Sequence, residues 1–310
     1  MINSVRNTVF SILNKNNYGY ISPQDFDLFA KQAQLEIFDS YFSSYNTQIN
    51  KENARVSGTE YADITKGIEE SIDLFSVTKS LGQKAYNKYN TPSLTTTGDD
   101  YYLLNKVLIF TTLKTTGTTT SIATDKLIDT SATFTTTVIV GDMVVNTSNG
   151  DQTEIMAIDS NTTLTISEDI MTNSGDTYSI YKDESSEAEK ISNSKASMLN
   201  RSLLTAPNVT YPAYTLEGDS ATIYPKTLNN LGQVYSQYIR YPKDPKWTYT
   251  TLTDGQPIFN QSAGLGYQDF ELTIDDQIML IVKILGYAGM QIRETQVVQF
   301  AQAEEIKDNQ

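Results

Sequence analysis

The sequence predicts a mixed α+β fold: helices from both ends of the chain form a bundle, and the middle of the chain forms β-structure. Apolar residues recur at three- and four-residue steps over 26–45 and over 278–292, a spacing that places them on one face of a helix. Between these stretches lie short runs rich in Thr, Val, Ile and Tyr, separated by turn residues. Such runs are typical of strands.

The helix that begins near Ser22 carries the clearest start signal. Ser22 is a suitable N-cap, Pro23 suits the first helical position, and Asp25 completes an S-x-x-D capping box. A broad apolar face is predicted, from which Asp27, Lys31, Gln34 and Ser40 point away; it consists of Phe26, Phe29, Ala30, Ala33, Ile37, Phe38, Tyr41, Phe42 and Tyr45. A helix with such a face needs partner helices or a sheet against it.

Three further helices are predicted from the same periodicity. One covers Val5 to Leu13, and one runs from a cap at Thr59 through Tyr61, Ile64, Ile68 and Ile72 to Phe75. The last begins at Asp275, and its stripe consists of Ile278, Ile281, Val282, Leu285, Ala288 and Ile292, continued by Val297, Phe300, Ala301 and Ile306. We expect this C-terminal helix to dock on the N-terminal bundle.

A self-contained β module is predicted at 115–183. Its strands are Asp142–Asn146, Thr153–Ile158, Thr163–Ile166 and Thr177–Tyr181. Asn149-Gly150 predicts a type I′ hairpin, and Ser174-Gly175-Asp176 predicts a second turn. Strands this short suggest a small barrel or sandwich, inserted into a main body formed by 1–114 and 184–310. Thr115 to Thr120 is predicted to be a linker.

The rest of the main body combines helix and extended chain. The runs 101–104 and 107–110 are predicted strands, and the acidic stretch at Asp183–Glu189 is expected to open a helix through Leu203. Ala221–Tyr224 and Gln233–Tyr241 are predicted to pair as a hairpin around Asn229–Gly232. Tyr-Pro pairs adjoin these runs, as expected where proline ends a strand.

Composition excludes several chemistries. The chain has no cysteine and no histidine, which removes thiol nucleophiles, zinc–thiolate sites and the commonest general base. Its net charge is −14, which argues against general attraction to nucleic acid or to an anionic membrane. The start of the chain lacks the pattern of a secretory signal, and no membrane span is expected. We expect synthesis in the cytosol and no cofactor or metal.

Paired acids are the remaining catalytic candidates, at Glu69-Glu70, Asp99-Asp100, Asp275-Asp276 and Glu304-Glu305. Two carboxylates across a cleft can serve a glycosidase, but adjacent acids on a helix are more often a solvated face or a helix cap. No phosphate-binding loop or calcium loop is present. The prediction is therefore a protein that is not an enzyme.

The segment from Tyr238 to Trp247 is the best candidate for a binding surface. It gathers Arg240, two tyrosines and the only tryptophan, the residue types that dominate protein interfaces. The alternative is a strand whose aromatic residues fill the core. The candidate interface residues are Tyr238, Arg240, Tyr241, Lys243 and Trp247, together with Arg293 and Phe300 in the C-terminal stretch.

Two groups of residues carry a family resemblance. The first is Asn16-Asn17-Tyr18-Gly19-Tyr20-Ile21-Ser22-Pro23-Gln24-Asp25-Phe26 with the following Phe29 to Ala33. The second is Arg201 to Pro207, Tyr211-Pro212, Ile223 to Pro225 and Tyr238 to Trp247. Both groups resemble structural proteins of tailed bacteriophages, in particular the crAss-like group.

The resemblance implies a virion component at the head–tail junction, an adaptor or ring protein present in many copies below the portal. A twelve-fold ring is implied, with the portal and neighbouring ring or tail proteins as partners. DNA would pass through its channel without specific binding.

Two other functions stay open. A receptor- or carbohydrate-binding tail module is one, since tyrosine-rich β surfaces can stack on sugars. A carboxylate-based glycosidase or lyase acting on host polysaccharide is the other.

Overall fold

The computed structural model describes residues 1–13, 21–54, 64–253, 255–262, 266–292 and residue 299. Over these residues the fold is mixed α+β, with six α-helices and strands arranged in several sheets. This confirms the predicted class. The chain divides into two compact units, Met1–Phe75 with Tyr241–Gln310, and Ser76–Arg240. The predicted boundaries at 114/115 and 183/184 both lie inside the second unit.

The first unit contains four of the helices: α1 (Ile2–Leu13), α2 (Pro23–Ala54), α3 (Ile64–Asp73) and α6 (Gln277–Ile292). The starts of α1 and α2 are held by carboxylates and hydroxyls. Asp269 accepts the Met1 ammonium and the Ile2 N–H, both at 2.7 Å. Ser22 Oγ accepts the Asp25 N–H at 3.1 Å, as the capping box predicts.

α6 packs against α1 and α2, and α3 packs against α2. The predicted face of α2 is buried at Phe26, Ala30, Ala33, Ile37 and Tyr41. The docking of the C-terminal helix on the N-terminal helices is thereby found in the structure.

Three details of these helices differ from prediction. Gln34, expected to point away from the apolar face, is 1% exposed; its amide donates to the Lys243 carbonyl and accepts from the Glu271 N–H. Ile278 was placed on the buried stripe but is 74% exposed. A 3-10 turn, Ile274–Asp276, precedes α6, and Thr273 rather than Asp275 occupies its N-cap position. Thr59, Tyr61, Val297, Phe300, Ala301 and Ile306 lie outside the described residues.

The second unit contains three sheets and two short helices, α4 (Phe134–Thr137) and α5 (Asn193–Leu199). Its strands are β1 (Ser76–Ser80), β2 (Gln83–Ala85), β3 (Lys88–Asn90), β4 (Tyr101–Phe110), β5 (Leu113–Thr118), β6 (Ser121–Ala123), β7 (Lys126–Ile128), β8 (Met143–Asn146), β9 (Gln152–Ile158), β10 (Thr163–Ile166), β11 (Thr177–Tyr181), β12 (Ser185–Glu187), β13 (Glu189–Lys190), β14 (Ala213–Glu217), β15 (Ser220–Tyr224) and β16 (Val234–Arg240). A two-stranded sheet of β17 (Tyr249–Thr251) and β18 (Pro257–Phe259) belongs to the first unit.

The seven-stranded sheet, in the order β5-β11-β8-β9-β10-β7-β6, occupies most of the predicted module. All four predicted strands are present as β8 to β11. The predicted linker at Thr115 to Thr120 is wrong, because most of it belongs to β5, where β-branched threonines suit a pleated strand. The sheet ends at β5 and β6, which are not paired with each other, so the predicted barrel is not closed.

The hairpin between β8 and β9 is present, but its turn is not of type I′. That turn needs a positive φ at both central residues. Gly150 has a φ of +85°, whereas Asn149 is absent from the described residues with positive φ. The loop is held instead by main-chain bonds between Gly150 and Asn146 and between Asn146 and Asp151.

The four-stranded sheet has the order β1-β16-β4-β12, and the five-stranded sheet has the order β13-β14-β15-β3-β2. The predicted hairpin of Ala221–Tyr224 with Gln233–Tyr241 is therefore wrong. Both segments are strands, but β15 pairs with β14 and β3, while β16 pairs with β1 and β4. The hydrophobic pattern predicted each strand but did not predict which strands pair with it.

The predicted helix from Asp183 through Leu203 is reduced to α5. Ser185–Glu187 and Glu189–Lys190 are strands instead, and the helix starts only after Ser192, whose hydroxyl accepts the Lys195 N–H. The pairing of β12 with β4 and of β13 with β14 overrides the weak local helix signal.

Stacked aromatic rings join the four- and seven-stranded sheets. Phe110 on β4 stacks on Tyr181 of β11 and on Tyr235 of β16, with ring centroids 5.0 Å and 4.5 Å apart. Tyr181 also donates to the Leu231 carbonyl at 2.6 Å. A separate core, which includes Val107, Ile109, Tyr89 and Ile223, lies between the four- and five-stranded sheets.

The core of the seven-stranded sheet depends on a glycine. A Cβ at Gly117 would lie 2.4 Å from Tyr178 Oη and 2.5 Å from Asp129 Oδ2, which form a buried hydrogen bond of 2.7 Å. We expect Gly117→Ala to break this bond and lower the free energy of unfolding by about 2–4 kcal/mol. Chemical denaturation checks this.

Two variants serve as controls for the glycine prediction. Gly67→Ala on α3 has open space around the new methyl and should be neutral or stabilising by up to about 1 kcal/mol. Tyr178→Leu removes both the hydroxyl and the ring carbon Cζ that the new methyl would meet, so Gly117→Ala should cost less in that background. If Gly117→Ala lowers the free energy of unfolding equally with and without the substitution at Tyr178, the steric explanation is wrong.

Candidate functional site

The predicted interface residues fall in different units and differ in burial. Tyr238 lies at the centre of the four-stranded sheet with no exposed surface, and Trp247 is 2% exposed in the first unit. Burial raises the pKa of the Tyr238 hydroxyl. Both side chains therefore lie in the interior of their own unit. This agrees with the alternative interpretation of the segment, in which its aromatic residues fill the core.

The remaining predicted residues lie nearer the surface. Arg240 ends β16 half-buried, and the exposed Tyr241 has its ring 5.9 Å from that of Phe38. Lys243 is exposed, and its main chain bonds to Glu271 and Gln34. Arg293 and Phe300 lie outside the described residues. The role of these residues in an interface stays a prediction.

Trp247 is surrounded by residues from the two N-terminal helices. Its indole N–H donates to Asn3 at 3.2 Å, and its main-chain N–H donates to Asp27 at 2.8 Å. The Arg6 guanidinium carbon lies 3.6 Å from the Trp247 ring centroid and 4.2 Å from that of Phe10. Tyr249 stacks on Trp247 with centroids 5.4 Å apart.

A cavity of about 620 Å³ opens beside this tryptophan. One wall is the first turn of α2, with Pro23, Gln24 and Asp27, and the other is the continuous segment from Lys246 to Thr251. Its volume falls within the range usual for binding pockets. The cavity is the candidate binding site.

Asp27 is the acidic side chain of this cavity. Burial raises the pKa of its carboxyl to about 6, against the opposing effects of the Trp247 N–H and of the positive charges of Lys246 and Arg6. A carboxylate with a perturbed pKa in a cavity is a common mark of a functional site. The amino-acid sequence gives no signal for this site, because Trp247, the hydrogen-bond partner of Asp27, is 220 residues away in the chain and Asp27 has the spacing of a solvated helix residue.

The paired acids serve structural roles where they are described. Glu69 accepts from the Tyr45 hydroxyl at 2.6 Å, Asp99 lies 3.8 Å from Lys79, and Asp276 accepts from Tyr41 at 2.5 Å. Among the described residues, no group of three or more acidic side chains is placed to hold a metal ion. Glu304-Glu305 lies outside them.

No family model matches the chain, and no curated protein is significantly similar to it. Within the described part of the chain, no helix combines the length and apolar character needed to cross a membrane. The fold and cavity therefore define a two-unit α+β protein with a candidate binding site in its first unit.

Asp27 predicts a specific pH dependence. Its folded pKa of about 6 exceeds the value of 3.8 expected for an unshifted group, so the folded state holds this proton more tightly and loses stability as pH rises through 4 to 6. Asp27→Asn keeps an oxygen to accept the Trp247 N–H. We expect it to raise the free energy of unfolding at pH 7 by an amount on the order of 1 kcal/mol, after allowance for partial exposure.

The difference between Asp27→Asn and the parent protein should shrink towards pH 4, measured by denaturant unfolding at several pH values. Asp244→Asn is the matched control, since this exposed carboxylate forms a surface ion pair with Lys31 and its replacement should change the free energy of unfolding little. A pH-independent gap for Asp27→Asn would contradict the assignment.

Proposed function

We propose that this chain is a structural component of a tailed-phage virion, where copies of it form a ring at the head–tail junction and join portal and tail components around the DNA channel. The resemblance of the N-terminal and Tyr-Pro segments to crAss-like virion proteins supports this proposal. A ring closes when each subunit presents two different complementary surfaces. The packed helices of the first unit would form the bundle that carries the ring contacts.

One observation supports the proposal beyond the resemblance: an apolar surface formed by the end of α5 and the segment that follows it. It consists of Met198, Leu203, Leu204 and Tyr211, of which Leu203 is fully exposed and Leu204 is 95% exposed. Adjacent apolar side chains without cover favour a protein partner. Burial of each leucine in an interface contributes about 1.5–3 kcal/mol.

Hydrogen bonds fix the main chain of the turn that carries the two leucines. Thr205 and Ala206 donate main-chain N–H groups to the Ser202 carbonyl at 3.2 Å and 2.9 Å, and the Thr205 hydroxyl donates to Leu199 at 3.1 Å. A turn fixed by these bonds loses little conformational freedom on binding. We assign this surface and the seven-stranded sheet to contact with the neighbouring layer, the portal or the next ring protein.

The net charge of −14 fits a ring around DNA. An acidic channel lining would repel phosphates and keep the genome from adhering during packaging and ejection. We therefore expect the bore to be acidic in a particle map. Lys and Arg lining the bore, with the acidic residues on the outer surface, would contradict this assignment.

The double variant Leu203→Asp, Leu204→Asp tests the apolar surface. Both side chains are exposed, so the fold should be unaffected, whereas charges at a buried contact should reduce incorporation into particles at least tenfold. Quantitative mass spectrometry of purified particles measures incorporation, and thermal unfolding checks the fold.

The matched control is Leu94→Asp, which places a charge at another exposed leucine of the same unit and should incorporate normally. If the double variant and the control are incorporated into particles as well as the parent protein, the apolar surface has no role in assembly. A map of the particle that lacks this chain defeats the proposal as a whole. Location at the distal tail tip together with glycan binding would instead support the receptor- or carbohydrate-binding alternative.

A further inference from the structure

Strand β17 has one paired edge. Lys246 exchanges two main-chain bonds with Gln268, at 2.9 Å and 3.2 Å, and the Asn260 N–H donates to the Thr248 carbonyl at 2.9 Å. Thr250 pairs with Ile258, and the Leu252 N–H donates to Gln256 at 2.9 Å. The even-numbered residues therefore direct their main-chain groups to one side.

The other edge of the same segment is open. Because main-chain groups alternate between the two edges of a strand, Trp247, Tyr249 and Thr251 direct theirs to the opposite side. There the Trp247 N–H donates to Asp27. Across the described residues, no hydrogen bond is made by the main-chain groups of Tyr249 or Thr251 on this edge.

The cavity described above lies along this open edge. Tyr249, Thr250 and Thr251 line one wall, and the first turn of α2 lines the other. Three strand residues span about 10 Å, and a cavity of about 620 Å³ beside them has room for a short extended peptide. A two-stranded sheet is also marginal by itself, so a third strand would stabilise it.

The edge lacks the features that usually prevent strand addition. The sequence of β17 is Tyr-Thr-Thr, with no charge and no proline, whereas its partner β18 begins with Pro257. The proline that could prevent strand addition thus lies in β18, and not on the edge of β17 that faces the cavity.

We propose that an extended segment from a second copy of this chain enters the cavity and adds to β17 as a third strand. Its main chain bonds to the N–H and C=O groups of Tyr249 and Thr251. The inference rests on the proposed function, since it identifies one of the two surfaces through which copies join.

The charges of the lining favour a copy of this chain as the occupant. Lys246 lines the cavity, and within the described part of the chain it forms no ion pair, while Asp27 is near half-protonation at pH 6. A strand that bears Asp or Glu complements this ammonium, and a basic strand would be repelled by it. The chain has 37 acidic and 23 basic residues, so its own segments fit this requirement.

Hydrogen exchange on the full chain reads the two amides directly. The protein is separated by size into single copies and assemblies, and amide exchange is measured in each. We expect the Tyr249 and Thr251 amides to exchange at least tenfold more slowly in assemblies. The Thr250 amide, which already bonds within the hairpin, should be slow in both and is the internal reference.

A pair of substitutions at one position isolates the edge. Thr251→Pro removes an N–H that points away from β18, so the hairpin ladder is kept; Thr251→Val keeps the N–H and the branched shape. We expect Thr251→Pro to weaken self-association at least tenfold in sedimentation experiments and Thr251→Val to change it less than twofold. Should Thr251→Pro fail to fold, the exchange measurement on the parent protein decides.

The possible outcomes separate the two proposals. Assemblies whose Tyr249 and Thr251 amides exchange as fast as in single copies overturn strand addition and leave the ring proposal standing. Absence of assemblies at every concentration, and in the particle, overturns both. Protection of the two amides only after a different protein is added overturns the second copy as occupant.

Discussion

The first unit depends on the burial of the Arg6 guanidinium between two aromatic rings. A buried cation costs several kcal/mol unless its environment compensates for the lost water. Here Phe10 and Trp247 present their ring faces at 4.2 Å and 3.6 Å, an arrangement worth about 2 kcal/mol when desolvated, and Asp27 supplies a nearby negative charge. Trp247 in turn bonds to Asn3 of α1 and Asp27 of α2. This cluster thereby joins the start of the chain to a segment more than two hundred residues later.

The same cluster explains why the cavity has its shape. Asp27 takes the first outward N–H of the segment and so ends strand pairing at Trp247, which leaves the following residues open along the cavity. Its carboxylate is retained at a cost, since burial raises its pKa. A binding site that retains a destabilising group is consistent with selection for function over stability.

Local signals in the sequence predicted most elements but few of their neighbours. The capping box at Ser22, the stripe of α2 and the strands β8 to β11 were found because each signal lies within one short, continuous stretch of the chain. The pairing of β15 with β14 and β3, and of β16 with β1 and β4, depends on residues up to about 160 positions apart, which no local pattern encodes. The cavity was missed for the same reason: Asp27, Arg6 and Lys246 have the pattern of ordinary surface residues until the chain is folded.

The chain passes from one unit to the other at two points, and these two points lie close together. The second unit is one continuous stretch, Ser76–Arg240, whose first and last strands pair antiparallel with Ser76 opposite Ile239. Cα atoms paired in this way are about 5 Å apart. The points at which the chain enters and leaves the second unit are therefore adjacent. A turn of a few residues could replace this unit without distorting the first unit. Such an arrangement lets recombination add, remove or exchange the β-rich second unit as one continuous segment, while the helical first unit keeps its own core.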